Sequence, residues 1–393
     1  MNDQNLPSYL IFRNVYVITK TLAKNQKSKP PAPEDLETEI LCRVPATSVK
    51  RFHRLRLRST CKRWNRLFSD SRFTRKQLEK AAKQFLVLML RECRVCSMSV
   101  NWMIPSVDGS GELSLIEPFC ERQLQISQVF HCDGLLLCTD KDNSIIVVWN
   151  PCTGQTRWIQ PRNGDTTSEY YALGSYQDNK SSNKSYKILG YGDAQEFEIY
   201  ELNSNSWRTL DVTPNCCHIY TEFGASLKGK TYWFALDEKE EQLDRFLVSF
   251  DYTTENFERL TCQFPISMDK QAVLSVVREE KLSMLVKPEN TSKTEIWLTN
   301  KIDETKPVSW TKVLSLDLSP YLRVSYEGSF LLDEEKKVFV LCDCYQRKNV
   351  VYIIEEDNRV TNLNFGGKFG RPFLFNYVPS LTQIQQGVGV GGK

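Results

Sequence analysis

Between residues 33 and 68 the apolar positions follow a helical spacing. The first group that recurs every three or four residues is Leu36, Ile40, Leu41 and Val44. This spacing lines one face of a helix. Pro33 suits the first helical turn, because its missing N–H is not needed there, and Pro45 ends the helix. A helix this short needs a partner surface for its apolar face.

Two further short helices are predicted after this proline. Thr47 or Ser48 can cap the first of them. The second follows residue 60, with an apolar face made of Cys61, Trp64, Leu67 and Phe68. The pattern therefore predicts a small three-helix module over residues 30–77.

From about residue 85 the pattern changes to short β-rich runs separated by turn residues. A hairpin of strand, turn and strand recurs. Its copies occupy residues 146–159, 197–210, 246–260, 294–314 and 351–365. An aromatic residue recurs in the second strand of the first four copies, at Trp158, Trp207, Phe257 and Trp310. The period is therefore about 50 residues, which is typical of a repeat architecture.

A second hairpin in each period completes a four-stranded unit. Its turns lie near Gly134, Lys228, Glu279 and Glu334. Four strands in about 50 residues is the content of a propeller blade. Five units are clear, and a further one is expected at residues 85–115. The strand at 372–377 is expected to close the ring against the earliest strands, and the recurring aromatics are expected between neighbouring blades.

Composition and charge narrow the possible functions. Hydrophobic residues make up 41% of the 393 residues and charged residues 25%, and the net charge is +3. These values are ordinary for a folded protein and too balanced to indicate nucleic acid or membrane. No apolar run is long enough to cross a bilayer. Thirteen scattered cysteines without a secretion signal favour reduced thiols and a cytoplasmic and/or nuclear location.

The first module is locally basic. From Lys50 to Arg66 there are eight Lys or Arg residues and no acid. This basic stretch is either a nucleic-acid-binding surface or a solvent-exposed surface that complements an acidic partner. No helix-turn-helix or zinc-finger pattern accompanies the charge, so we favour the acidic partner and expect no nucleic acid. Residues 1–29 are expected to form a disordered basic leader, with a transit peptide as the alternative.

Residues that could carry out catalysis are sparse. The three histidines, His53, His131 and His218, do not cluster in sequence. Cys93 and Cys96 have zinc-like spacing but lack a second pair. No Gly-rich phosphate loop and no Gly-x-Ser-x-Gly elbow occur. We therefore expect no catalytic site, no metal and no cofactor.

The first module resembles an F-box, whose pattern is Pro-x-x-Leu-x-x-x-Ile-Leu-x-x-Leu-Pro followed later by Cys-x-x-Trp. The matching positions are Pro33, Leu36, Ile40, Leu41, Val44 (in place of Leu), Pro45, Val49, Cys61 and Trp64. The resemblance implies that these residues bind a Skp-type adaptor and, through it, a cullin.

The sequence departs from the F-box pattern in two ways: Ala32 replaces a leucine, and His53–Leu57 are five extra residues. In a continuous helix, five residues would rotate everything that follows by ~140°. The extra tract therefore either loops out between helices or weakens docking.

Residues 85–385 resemble the plant F-box-associated domain of type 1. The motifs that carry this resemblance include residues 148–159, 185–189, 197–208, 325–330 and 377–381. Kelch repeats have a similar period, but their paired glycines are missing. The expected fold is α+β multidomain: a three-helix F-box, then an all-β propeller-like domain of about six four-stranded units. The expected boundaries are 1–29 leader, 30–77 F-box, 78–84 linker or helix, 85–385 propeller and 386–393 flexible tail.

The combined resemblance implies a non-catalytic substrate-recognition subunit of a Skp–cullin–F-box ubiquitin ligase. The alternative is a propeller-like scaffold, or a glycan- or protein-binding module, without ligase coupling. The sequence does not identify the target protein. Candidate target-binding loops are residues 162–169, 178–184, 237–244 and 301–307, since loops carry most binding functions.

Overall fold

A computed structural model gives the fold of the 393-residue chain. It describes residues 38–39, 41–43, 46, 67, 70–81, 83, 85–101, 106–118, 120–162, 168–177, 184–192, 196–212, 218–219, 224–236, 244–260, 266–267, 270–288, 291–302, 308–318, 328–345, 348–364 and 372–384. The predicted leader and tail lie outside these ranges. The chain divides into two compact units, Met1–Gln84 with Pro379–Gln383 and Phe85–Val378 with Ile384–Lys393. No helix among the described residues is both long and apolar enough to cross a membrane.

The first unit contains helix α1 (Ser71–Lys80). Asp70 caps its start, because its Oδ1 accepts the Arg72 N–H at 2.8 Å. Phe73 and Gln77, one turn apart, are buried, so the helix has one packed side. The three helices predicted for residues 30–77 lie mostly outside the described residues and stay a prediction.

The second unit is a six-bladed β-propeller. Blade 1 contains β1 (Leu86–Arg91), β2 (Arg94–Asn101) and β3 (Ser106–Leu113), and blade 2 contains β4 (Gln128–Cys132), β5 (Leu135–Thr139), β6 (Ile146–Trp149) and β7 (Thr156–Ile159). Blade 3 contains β8 (Tyr170–Gln177), β9 (Lys184–Tyr191), β10 (Phe197–Glu201) and β11 (Ser206–Leu210). Blade 4 contains β12 (His218–Ile219), β13 (Ala225–Leu227), β14 (Lys230–Leu236), β15 (Asp244–Asp251), β16 (Asn256–Leu260) and β17 (Ile266–Ser267). Blade 5 contains β18 (Lys270–Val277), β19 (Lys281–Pro288), β20 (Lys293–Thr299) and β21 (Trp310–Asp317), and blade 6 contains β22 (Ser329–Asp333), β23 (Val338–Tyr345), β24 (Lys348–Glu355) and β25 (Val360–Asn364). The last strand, β26 (Phe373–Tyr377), belongs to blade 1.

The pairing of the strands confirms the repeat that the sequence predicts. All five copies of the first hairpin form antiparallel pairs, namely β6–β7, β10–β11, β15–β16, β20–β21 and β24–β25. Strand β26 pairs with β1, with Leu86 opposite Tyr377 and Leu90 opposite Phe373. The ring is therefore closed by β26, the last of the described strands, as predicted.

Left-handed backbone conformations make the tight turns of the second hairpin. In the β4–β5 turn, Asp133 and Gly134 have φ values of 52° and 77°. In the β13–β14 turn, Lys228 and Gly229 have 51° and 76°. Two consecutive positive φ values are typical of the type I′ turn, whose twist matches that of antiparallel strands. These turns confirm the predicted hairpins at Gly134 and Lys228.

The recurring aromatic residues fill the spaces between blades, as predicted. Trp207 in blade 3 donates its indole N–H to the Gln160 carbonyl, which follows the last strand of blade 2, at 2.9 Å. The ring of Phe257 in blade 4 lies 4.8 Å from that of Phe197 in blade 3. Trp310 in blade 5 belongs to an apolar cluster that includes side chains of blade 4. Each blade therefore buries one face against its neighbour.

Gly174→Ala is expected to destabilise the propeller. An ideal Cβ at Gly174, on β8, would lie 1.9 Å from Cε2 of Tyr252. Tyr252 is buried and shares a hydrogen bond with the Thr231 hydroxyl at 3.0 Å, so its ring has no free direction in which to move. The expected loss in unfolding free energy, measured by chemical denaturation, is about 1–3 kcal/mol.

Gly111→Ala is the matched control, because a Cβ there meets no atom within 4 Å. Its expected change is below about 0.5 kcal/mol. Equal stability of the Gly174 variant and the wild type would contradict the packing of Tyr252.

Candidate functional site

Glu39 joins two parts of the first unit that are distant in sequence. The Lys80 Nζ atom lies 2.7 Å from its Oε2 atom, and the Arg43 Nη2 atom lies 2.9 Å from its Oε1 atom. The hydrogen bonds from Lys80 and Arg43 hold the pKa of the Glu39 carboxyl below its usual value. These exposed pairs add little stability, but they connect residues 38–43 to the end of α1.

Leu41 is the only predicted adaptor-binding residue that the structure describes. Its side chain is 3% exposed in the free chain, and Cys42 and Ala46 nearby are also buried. Burial raises the pKa of the Cys42 thiol, which keeps it protonated at neutral pH. A charged substitution at Leu41 would therefore disturb packing as well as any adaptor contact.

The other predicted adaptor-binding residues lie outside the described residues and stay predictions. They are Pro33, Leu36, Ile40, Val44, Pro45, Val49, Cys61 and Trp64. The extra residues His53–Leu57 and the basic stretch from Lys50 to Arg66 also lie outside the described residues.

His131 is the one histidine whose side chain the structure describes. Its ring lies 5.5 Å from the ring of Tyr377, and its Nε2 atom accepts the Gly134 N–H at 3.1 Å. Burial lowers its pKa to about 4, so it is neutral at pH 7. Because its Nε2 lone pair is already engaged, His131 packs between strands and is poorly placed to act as a base.

Cys93 and Cys96 take different places in blade 1. Cys93 lies in the β1–β2 turn with a φ of 62°, and Cys96 lies on β2. Within the described part of the chain, no group of three or more His, Cys, Asp and Glu side chains is arranged to hold a metal ion.

The structure describes only parts of the candidate target-binding loops. Arg162 begins the first loop and donates a hydrogen bond to the Thr209 hydroxyl at 2.7 Å. Lys184 ends the second loop, and its Nζ atom lies 2.5 Å from the Asp133 carboxylate. Residues 163–167, 178–183, 237–243 and 303–307 lie outside the described residues. The target-binding role of these loops stays a prediction.

A buried ion pair joins blades 3 and 4. The Lys187 side chain is only 7% exposed, and its Nζ atom lies 2.6 Å from Glu255 Oε1 and 3.0 Å from the Tyr252 carbonyl oxygen. Arg208 bonds to the same carboxylate oxygen. Burial alone would raise the pKa of Glu255, but the hydrogen bonds from Arg208 and Lys187 outweigh it and hold this pKa below its usual value. Lys187 lies in the sequence motif at residues 185–189, which indicates no partner for it.

The structure assigns the segment Pro379–Gln383 to the first unit. Ser380, Leu381 and Thr382 of this segment are buried. The sequence pattern instead places the same residues within the expected propeller domain, residues 85–385, on the motif at residues 377–381.

Comparisons with known proteins cover both units. Residues 33–76 match the F-box domain, and residues 86–384 match the F-box associated beta propeller domain. The chain is 58% identical over 372 residues to the Arabidopsis thaliana "Probable F-box protein At5g47300", covering 91% of this chain and 87% of that protein. It is 50% identical over 368 residues to "Putative F-box protein At3g25460" of the same plant, with 91% and 99% covered. A third Arabidopsis thaliana relative, "F-box/kelch-repeat protein At3g44120", is 45% identical over 379 residues, with 91% and 97% covered.

Proposed function

Because this chain belongs to the F-box proteins that carry an F-box associated beta propeller domain, we propose that it is the substrate-recognition subunit of a Skp–cullin–F-box ubiquitin ligase. The observation that carries the proposal is the order of the domains: an F-box sequence is followed, in the same chain, by a six-bladed propeller. The F-box binds a Skp-type adaptor and, through it, a cullin. The propeller binds a target protein in the cytoplasm or nucleus.

The chain acts by proximity and needs no cofactor. Holding the target beside the transfer centre of the ligase raises its effective concentration there. The chain itself forms and breaks no bonds, so we propose that it is not an enzyme. The candidate target-binding residues lie in the loops between strands, where substitution alters binding without altering the blades.

Trp64→Ala is expected to weaken binding to a purified Skp-type adaptor at least tenfold. Burying a large apolar side chain at an interface contributes about 1.5–3 kcal/mol, and about 1.4 kcal/mol corresponds to a tenfold change in affinity. Isothermal titration calorimetry with the full chain measures this, and Leu36→Asp is a second variant at the same predicted interface.

Ile116→Asp is the control for these two variants. Ile116 lies in the second unit, and its side chain is 56% exposed, so the substitution changes a surface residue of the propeller. Its adaptor affinity should equal that of the wild type. No adaptor binding by the wild type would contradict the proposed function, and unchanged binding by Trp64→Ala would contradict the proposed interface.

The second candidate is a scaffold or a glycan- or protein-binding module without ligase coupling, and it gains support only if the extra residues His53–Leu57 abolish docking. If the extra tract disturbs docking, its deletion should strengthen adaptor binding several-fold in the same titration. Equal or weaker binding by the deletion variant would contradict this effect. A glycan array with the full chain tests the second candidate directly.

A further inference from the structure

Helix α1 carries basic side chains on its solvent-exposed side. Arg72, Arg75 and Lys76 are three and four residues apart, so they share one side of the helix. All three residues are exposed, and the Arg72 side chain is 82% exposed. Phe73 and Gln77, on another side of the helix, are buried. The packed side of α1 is therefore already covered, and its basic side faces solvent.

Interactions at both ends of α1 hold its backbone in place. Asp70 caps the first turn, and the Lys80 Nζ atom in the last turn lies 2.7 Å from Glu39 Oε2. A partner that contacts the basic side therefore meets charges on a formed helix. Binding there costs mainly the rotamer freedom of the side chains, because the backbone is already ordered.

Charge is distributed unevenly along the chain. From Lys50 to Lys83 there are 13 Lys or Arg residues and two acids, so this stretch has a net charge of +11. The whole chain has a net charge of +3, so the remaining residues together carry −8. An acidic partner is attracted by the basic stretch and repelled by the acidic remainder, and this difference orients the partner before contact.

The acids that lie among the basic residues indicate the class of the partner. The described residues of the first unit include six Lys or Arg residues and three acids. Two of the acids, Asp70 and Glu39, pair with Arg72 and Lys80. Nucleic-acid interfaces are much more positively charged than protein–protein interfaces, so this mixed surface fits an acidic protein better than a nucleic acid.

We propose that the basic side of α1, made of Arg72, Arg75 and Lys76, steers the association of the chain with an acidic surface of the Skp-type adaptor. The inference rests on the proposed function. All three residues lie within the F-box match, residues 33–76, so they belong to the module that is proposed to bind the adaptor. Attraction between exposed charges acts mainly on the rate of association, whereas close apolar contacts act mainly on the rate of dissociation.

A full-length triple variant with Arg72→Glu, Arg75→Glu and Lys76→Glu tests the proposal by stopped-flow kinetics with a purified Skp-type adaptor. At about 50 mM salt its association rate constant should be about tenfold lower than that of the wild type. Its dissociation rate constant should stay within about twofold. The difference in association should shrink at about 1 M salt, where the Debye length is only about 3 Å.

A second triple variant, with Arg122→Glu, Lys141→Glu and Lys293→Glu, is the matched control. These are exposed residues of the propeller, and their reversal changes the net charge of the chain by the same amount. Its association rate constant should stay within about threefold of the wild type. An equal fall in both triple variants would overturn the proposal, because it would show that only net charge matters.

Arg75→Gln with Lys76→Gln keeps the test valid if the α1 triple variant does not fold, and should show a smaller fall in the same rate constant. Wild-type association by the α1 variants would overturn the proposal. A labelled RNA duplex measures the nucleic-acid alternative. Duplex binding that the α1 triple variant loses, together with unchanged adaptor kinetics, would also overturn the proposal.

Failure of the wild-type chain to bind the adaptor would instead contradict the proposed function. In that case a labelled polyglutamate peptide still tests the basic side of α1. Weaker peptide binding by the α1 triple variant than by the propeller control would support an acidic protein partner. Equal peptide binding by the two variants would overturn the inference.

Discussion

A chain that ends at Pro372 is expected not to form a closed propeller. The deletion removes β26, which pairs with one edge of β1. The other edge of β1 is paired with β2. It also removes the buried side chains of Leu374, Phe375 and Tyr377. At about 1.5–3 kcal/mol for each large apolar side chain, the lost burial amounts to roughly 5–9 kcal/mol. This is comparable to the whole net stability of a typical domain, which is about 5–15 kcal/mol.

Thermal unfolding followed by circular dichroism measures the effect of this truncation. The shortened chain should lose the single cooperative transition of the wild type or shift it strongly to lower temperature. A chain that ends at Ile384 is the control, since it keeps β26 and should unfold as the wild type does. Cooperative unfolding of the Pro372 chain at the wild-type temperature would show that ring closure contributes little to stability.

The propeller could be predicted from the sequence because its information is local and repeated. Each blade carries two hairpins whose turn residues and alternating apolar positions lie within a few residues of one another. The aromatic residues at Trp158, Trp207, Phe257 and Trp310 then show that the repeat is about 50 residues long. The closing strand could also be predicted, because a ring of repeats leaves the first blade with an unpaired edge that a terminal strand can fill.

Side-chain interactions that lie outside the repeat pattern could not be predicted. In the sequence, Lys187 has the pattern of an ordinary strand lysine that faces solvent. Its ion-pair partner in the fold, Glu255, is 68 residues away. The pair between Glu39 and Lys80 spans 41 residues and also leaves no periodic pattern. Two short strands, β12 and β13, both pair with β14 in blade 4, and this division was likewise not predicted, because the intervening residues carry no alternating pattern.

Glu255→Gln is expected to lower the unfolding free energy at pH 7 by about 3 kcal/mol. Removing one partner of a buried ion pair leaves the other charge uncompensated, which is destabilising by roughly 3–5 kcal/mol. We expect the lower end of this range, because Lys187 keeps the Tyr252 carbonyl at 3.0 Å and the Glu201 carboxylate at 3.9 Å. Chemical denaturation of the wild type and the Glu255→Gln variant measures the difference.

Glu258→Gln is the control. The Glu258 side chain is 63% exposed and pairs with Lys230 at 3.2 Å, so its loss should change the unfolding free energy by less than about 1 kcal/mol.

The difference between the wild type and Glu255→Gln should also depend on pH. The pKa of Glu255 in the folded protein lies below its usual value of 4.5, because the bonds from Arg208 and Lys187 outweigh the opposing effect of burial. A carboxyl whose pKa is lowered by folding stabilises the folded state above its unfolded pKa, and this stabilisation is lost as the pH falls through the folded pKa. The gap in unfolding free energy should therefore be constant from pH 7 to about pH 5 and should narrow below pH 4.5. A gap that stays the same in acid would show that the ionised carboxylate is not what stabilises the interface between blades 3 and 4.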